Sequence, residues 1–298
     1  MVRYLSAIGM SDYISKKKLD AYIRKCIASP ETEADYYSDD SGNDTCIELL
    51  AEMDTFGFVL RGRQSGTSVS VFSALPVVRT FRNSMRITSW DVENLKENQP
   101  VLCGEDVQFG TPIEMIVTNR HALLTHYLDA PPVIRVNLCG LSTCGQILLN
   151  ILRTSEDEEA YEEEENWRRE MARRARMGDR SAEHSLNEDA AAMEQDVFIR
   201  LQSEDVYTIL EGLFIPADDS TLGLYMVLGT ILRIHKVMNP FTEEWVYEFE
   251  LNVMGTPYNI YINPKDLEGT PSVGMRFQGT VIMLGEVLWD EQEQGLDS

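Results

Sequence analysis

Between residues 225 and 288, apolar and polar side chains alternate with a period of two in four separate runs. Successive Cβ atoms of a strand point to opposite faces, so this period predicts half-buried strands. In the clearest run Trp245, Tyr247, Phe249 and Leu251 share one face and Glu244, Glu248 and Glu250 take the other; a helix would scatter the aromatic residues around its circumference. The first run, 226–234, gathers Met226, Leu228, Leu232 and Ile234. The third, 258–263, gathers Tyr258, Ile260 and Ile262, and the fourth spans 277–284. Asn, Pro and Gly mark reversals at 238–242 and 254–257, and 263–269 predicts a short helical turn crossing the end of the sheet. Gly274 and Gly279 let the last strand bend. Strands in this number with one helical crossing predict a small antiparallel β-barrel over residues 224–298, OB-like or SH3-like, followed by an acidic tail from Glu286.

Upstream the pattern changes twice. After a short first strand or arm, Ser15 is a helix N-cap, and Leu19, Tyr22, Ile23, Cys26 and Ile27 form one apolar face of an amphipathic helix. Residues 31–44 are polar and predict a surface loop. Period-two segments follow at 47–53, 56–63, 68–78 and 84–92, then a strand at 112–117 leading to a short helix near Asn119. Segments 133–138 and 146–152 predict a final strand pair around a turn from Gly140 to Gly145. Together these give an N-terminal α+β domain, residues 1–153, with an antiparallel sheet of about six strands and a helix across one face. Residues 154–223 predict an acidic helical bridge. Nearly continuous acid at 156–165 precedes Arg168, Arg169, Arg173, Arg174 and Arg176, which places Glu164, Glu165 and Glu170 four residues before an arginine. That helix ends near Gly178; 179–187 is a connection, and 190–202 and 203–213 are further helices.

Several segments carry a family resemblance. They are Tyr4-Leu5-Ser6-Ala7-Ile8-Gly9, Gly140-Leu141-Ser142, Glu204-Asp205-Val206-Tyr207, Val227-Leu228-Gly229, Tyr261-Ile262-Asn263 with Lys265-Asp266-Leu267, and Val273-Gly274-Met275-Arg276-Phe277-Gln278-Gly279. Across essentially the full chain, the sequence resembles a family of uncharacterised proteins from anaerobic gut clostridia. The resemblance implies an intracellular bacterial protein and supplies no functional residues.

Net charge narrows the partners. It is −23, with 14 basic and 18 acidic groups in residues 1–150, 8 and 20 in 151–223, and 4 and 11 in 224–298. Nucleic-acid binding depends on neutralising phosphates, and the barrel offers only Arg233, Lys236, Lys265 and Arg276, so nucleic acid is excluded as a partner. No apolar run reaches the roughly 20 residues of a membrane helix. The five scattered cysteines predict free thiols in a cytoplasmic protein.

Candidate chemistry is sparse. His121 and His126 are five apart, not the four that puts zinc ligands on one helix face, and 39–44 lacks the ligand spacing of a calcium loop. The 140–145 turn lacks the spacing of a nucleophile elbow. The arginines at 168–176 predict a solvated helix, with an acceptor patch for an acidic ligand as the alternative. No catalytic residue, cofactor or metal is therefore predicted. The leading expectation is a non-enzymatic interaction or scaffold role toward a protein partner or small ligand. The alternative is an enzyme or small-ligand sensor with a pocket between the N-terminal domain and the barrel, using Arg233, Asn259, Asn263 or Arg276 at the barrel face. A third reading is an acidic surface that mimics nucleic acid.

Overall fold

The computed structural model describes residues 2–28, 33–38, 45–66, 68–78, 84–93, 99–150, 155–200, 209–218 and 221–289. Two 3-10 turns, Val2–Ile8 and Ser11–Ile14, precede α1 (Lys16–Ala28). Four strands follow, β1 (Glu33–Ser38), β2 (Thr45–Met53), β3 (Phe56–Ser65) and β4 (Ser68–Val78), then β5 (Ser84–Glu93), β6 (Val101–Asp106), β7 (Pro112–Val117), α2 (Arg120–His126) and the long β8 (Val133–Leu148). A helical hairpin, α3 (Ser155–Arg176) and α4 (Arg180–Arg200), leads to β9 (Leu213–Pro216), β10 (Leu224–Met238), β11 (Trp245–Val253), β12 (Thr256–Ile262), the short β13 (Leu267–Glu268) and β14 (Arg276–Leu288).

The described residues are mostly β, with four α-helices. Strands β1 to β4 make an antiparallel meander, and the other ten belong to one large mixed sheet. The large sheet is built around β8 and β14, which pair antiparallel from Arg135 to Leu148. Two circuits of pairing share that couple. One runs from β8 through β12, β11 and β10 to β14; the other runs from β8 through β5, β6 and β7 to β14. Hydrogen bonding thus crosses both sequence boundaries expected at 153 and 223.

Alternation along β8 and β14 separates two cores. Val136, Leu138, Val281 and Met283 point into the circuits, against Phe249, Ile260, Leu102 and Met115. Cys139, Leu141, Ile282 and Leu284 point the other way, toward the four-stranded sheet, α1 and the buried N-terminal turn. Tyr22 of α1 meets Phe58 of β3 with ring centroids 5.6 Å apart. The predicted apolar face of α1 is therefore the one it buries.

Several expectations need correction. Where a hairpin is predicted over 133–152, Val133–Leu148 is one continuous strand, and residues 151 and 152 lie outside the described residues. Gly140 and Gly145 are glycines because neighbours come too close for a side chain. A Cβ on Gly140 would stand 2.3 Å from Val281 Cγ1, and one on Gly145 would stand 2.4 Å from Phe277 Cε2. The N-terminal arm is a 3-10 turn that buries Leu5, Ala7 and Ile8, with Met10 buried just after it. Residues 33–38, expected as loop, form edge strand β1. The expected connection at 179–187 lies inside α4, started by Asp179, whose Oδ1 accepts from the backbone N–H of Ser181 and Ala182. Residues 201–208 of the expected last helix lie outside the described residues, as do 39–44 of the loop, and Leu213 begins a strand. In β10 a bulge between Ile231 and Arg233 resets the phase, so Leu232 is exposed while Ile231 is buried.

Candidate functional site

At the waist where the two circuits meet, each shared strand is flanked on its outer edge by two strands that part company. On the β14 edge, β10 pairs as far as Ile282 and β7 takes over at Leu284. That fork is filled: Met283 N–H donates to Gly223 O, Gly223 N–H donates to Glu114 Oε2, and Glu114 N–H donates to the Tyr225 hydroxyl. On the β8 edge, β5 pairs from Val133 to Asn137 and β12 begins at Gly140. This second fork is open.

The opening is a groove of about 450 Å³. Ser84, Met85 and Arg86 of β5 form one wall, Thr256, Pro257 and Tyr258 of β12 the other, and Leu138 the floor. The turn from Asp106 to Phe109 closes one end, held by Phe109 N–H to Asp106 Oδ2 at 2.7 Å and by Val107 N–H to Arg86 O at 2.9 Å. Burial pushes the Tyr258 hydroxyl well above the usual phenol range, so it stays protonated and can donate. Its ring stacks on Phe214, which stacks in turn on Tyr225, with centroids 4.9 and 4.1 Å apart. That column fixes the β12 wall. On the far side of the 106–110 turn, Arg176 of α3 donates to Val107 O, and the Arg169 guanidinium lies 5.5 Å from the Phe109 ring centroid. The helical hairpin therefore grips the same turn that closes the groove.

A second cavity, about 90 Å³, lies on the opposite face of β8, between the two sheets. Glu48, Thr118, Asn119, Asn137 and Cys139 line it. At roughly 30 Å³ per water it has room for about three water molecules, the size of a hydration site. Beside it Arg61, fully buried, donates to Glu48 Oε2 at 2.6 Å and to Val117 O at 2.9 Å.

The structure does not bring the four predicted barrel-face residues together. Arg233 is exposed and pairs with Glu250 at 3.3 Å. Asn259 is buried and donates to Glu248 Oε1. Asn263 clamps the N-terminal turn, donating to Ser11 Oγ and Glu244 Oε2 and accepting from Lys265 N–H. Arg276, its pKa pushed down by burial, ties Leu149 O to Leu210 O. Each has a partner within the fold. His121 and His126 diverge, one toward Asp35 and the other tilted against the Trp289 ring at a centroid distance of 5.1 Å. Ser142 is wholly buried within β8 and bonds the carbonyls of Cys144 and Thr280. Among the described residues no three His, Cys, Asp or Glu side chains are arranged to hold a metal, and no helix is long and apolar enough to cross a membrane. All five cysteines are free thiols.

Sequence reasoning missed the groove residues Arg86, Asp106, Gln108, Phe109, Leu138 and Tyr258 as a set. β6 escaped detection because Gly104 interrupts a short apolar run. The remaining walls meet only through long-range pairings with β8, Ser84 with Asn137 on one side and Ile260 with Gly140 on the other.

The chain belongs to the family described as "Domain of unknown function, E. rectale Gene description (DUF3881)", which matches it over residues 5–285. No curated protein and no solved structure matches it.

Proposed function

We propose that this is a binding protein whose ligand site is the open fork beside Leu138, used to hold or sense a small molecule without transforming it. The observation that carries this reading is the asymmetry of the two forks: the β14 fork is filled by the protein's own polar groups, and the equivalent space on β8 is left as a 450 Å³ groove. Small-ligand pockets of roughly 300–1,000 Å³ gathered at the junction of structural units are the common case. The groove lies between the N-terminal segment and the C-terminal strands. We read the two circuits as small barrels, the C-terminal one OB-like, and the free thiols suit a reducing cytoplasm. Methionine-methyl NMR tests the site, because Met85 lines it. Groove ligands from a fragment library should shift Met85 saturably and leave Met193, exposed on α4, unmoved. A library that leaves Met85 unmoved would remove the basis for the proposal.

A second reading, protein interaction, is favoured by the tip of the β10–β11 hairpin. There Met238 and Trp245 are cross-strand partners, 43% and 52% exposed. Affinity capture with Trp245→Ala as the control separates this reading from the first: a partner retained by the native chain and lost by the variant belongs to the hairpin.

A further inference from the structure

The cavity between the two sheets lies on the face of β8 opposite the groove, and its chemistry is independent of the groove's. Side chains along β8 alternate between faces: Val136 and Leu138 point into the circuits, so Asn137 points with Cys139 into this cavity. Asn137 is only 8% exposed, and among the described residues its side-chain amide has no hydrogen-bond partner. Buried amides in native proteins are nearly always bonded, to the protein or to something held beside them. Glu286 stands directly opposite Asn137 in the β8–β14 pairing and lines the same cavity. Its carboxylate likewise has no hydrogen bond or ion pair among the described residues. Every charged group lining the cavity is a carboxylate, the other two being Asp35 and Glu48. Glu48 is matched by Arg61, and Asp35 lies 4.0 Å from His121. That leaves Glu286. Thr118 and Asn119 spend their donors inside the protein, on Gly285 O and Val287 O. What faces the space is therefore an unanswered amide beside an unanswered acceptor, next to apolar walls from Leu50 and Leu284. Asp35 is exposed, so the cavity reaches solvent on the β1 side.

We infer that this cavity binds a small primary alkylammonium ion, its N–H groups donating to the Asn137 amide oxygen and the Glu286 carboxylate and its carbon lying against Leu50 and Leu284. An ammonium group offers three donors in separate directions and needs acceptors only. A metal ion instead needs ligands that converge on one point, and among the described residues no three carboxylate, thiol or imidazole groups do so. Size sets the rest of the ligand. At roughly 30 Å³ for each water-sized group, a cavity of about 90 Å³ admits two or three heavy atoms, as in methylammonium or ethylammonium.

The test is a titration of the full chain with methylammonium chloride, followed by NMR at the Asn137 side-chain amide. Sodium chloride and tetramethylammonium chloride at equal ionic strength are the controls, the second being too large and without donors. Methylammonium should shift the Asn137 resonance saturably, and neither control should. Glu286→Gln keeps the shape and removes the charge, so it should weaken methylammonium about tenfold or more, the scale of a charge-assisted contact. The methyl of Ile231, buried in the other core, should stay put in that variant and report an intact fold. No saturable shift in the native chain would overturn the inference and leave the cavity to water. Either control matching methylammonium would overturn it as well, and so would unchanged affinity in folded Glu286→Gln. None of these outcomes bears on the groove, whose reporter is Met85.

Discussion

Arg61 and Glu48 stand directly opposite each other on β3 and β2, and the guanidinium Nε lies 2.6 Å from the carboxylate with no solvent reaching the arginine. Glu48 also accepts the backbone N–H of His121, and Arg61 bonds the carbonyl of Val117, so this pair joins the four-stranded sheet to the end of β7 and the start of α2. Removing one member of a buried pair strands the other charge, at a cost of about 3–5 kcal/mol. Arg61→Met and Glu48→Leu should each lose stability on that scale by urea denaturation, and the double variant should lose less than the sum. Strict additivity would show that the two charges do not depend on each other.

Glycine at 140 is required by space, not by backbone conformation. In Gly140→Ala the new methyl would meet Val281 Cγ1 and Ile260 Cδ1 at 2.3 and 2.5 Å. Overpacking of this kind costs about 1–3 kcal/mol. At Gly66, by contrast, φ is +61° and no atom lies within 4 Å, so alanine there meets only backbone strain. Thermal melting of the two variants should show the larger loss at 140.

The thiols should differ sharply in reactivity. Burial pushes Cys139 up to about 12 and Cys103 up to about 11, whereas Cys144 is exposed. A thiolate is the reacting species. Iodoacetamide at pH 8 followed by mass spectrometry should therefore label Cys144 first, with Cys139 modified only on unfolding. Early labelling of Cys139 would mean that the core around β8 opens readily.

Asp179 links α3 to α4. Bonds from the Ser181 hydroxyl and the Arg174 guanidinium, with the α4 backbone N–H groups, hold its carboxyl far below the usual carboxylate range. A pKa lowered by folding contributes stability above the unfolded value, near 3.9, and loses it as pH falls toward the folded value. Helicity followed by circular dichroism should fall more in the native chain than in Asp179→Ala as pH drops from about 5 to 2, because the variant has no such contribution to lose.

Shared pairing also bears on the division into residues 1–153, 154–223 and 224–298. A chain lacking 224–298 keeps β8 but loses β12 and the whole length of β14 against it. We expect that truncation to melt without a cooperative transition. A sharp calorimetric peak would establish 1–153 as an independent unit.

What could be read from sequence was local. The four C-terminal runs emerged as β10, β11, β12 and β14 because period-two alternation and Asn, Pro and Gly turns are properties of neighbouring residues. The same habit failed at β8, where Gly140 and Gly145 resembled turn residues although their role is to admit Val281 and Phe277. Glu248 lies on the polar face of its run, yet it is buried because the N-terminal turn covers that side of β11. The groove was illegible for a stronger reason. It is a gap between strands whose positions are fixed by β8 and β14, and no short stretch encodes a gap.

The two circuits also set an order of events during synthesis. β7 finds its parallel partner only when residues 284 and 285 exist, and β8 waits equally long for the strand along its whole length. Until then the nascent chain presents strands with unsatisfied edges, the condition in which β proteins associate with one another. Such distant contacts favour slow, late completion. In the cell this protein should lean on chaperones that shield strand edges until translation has passed Leu288.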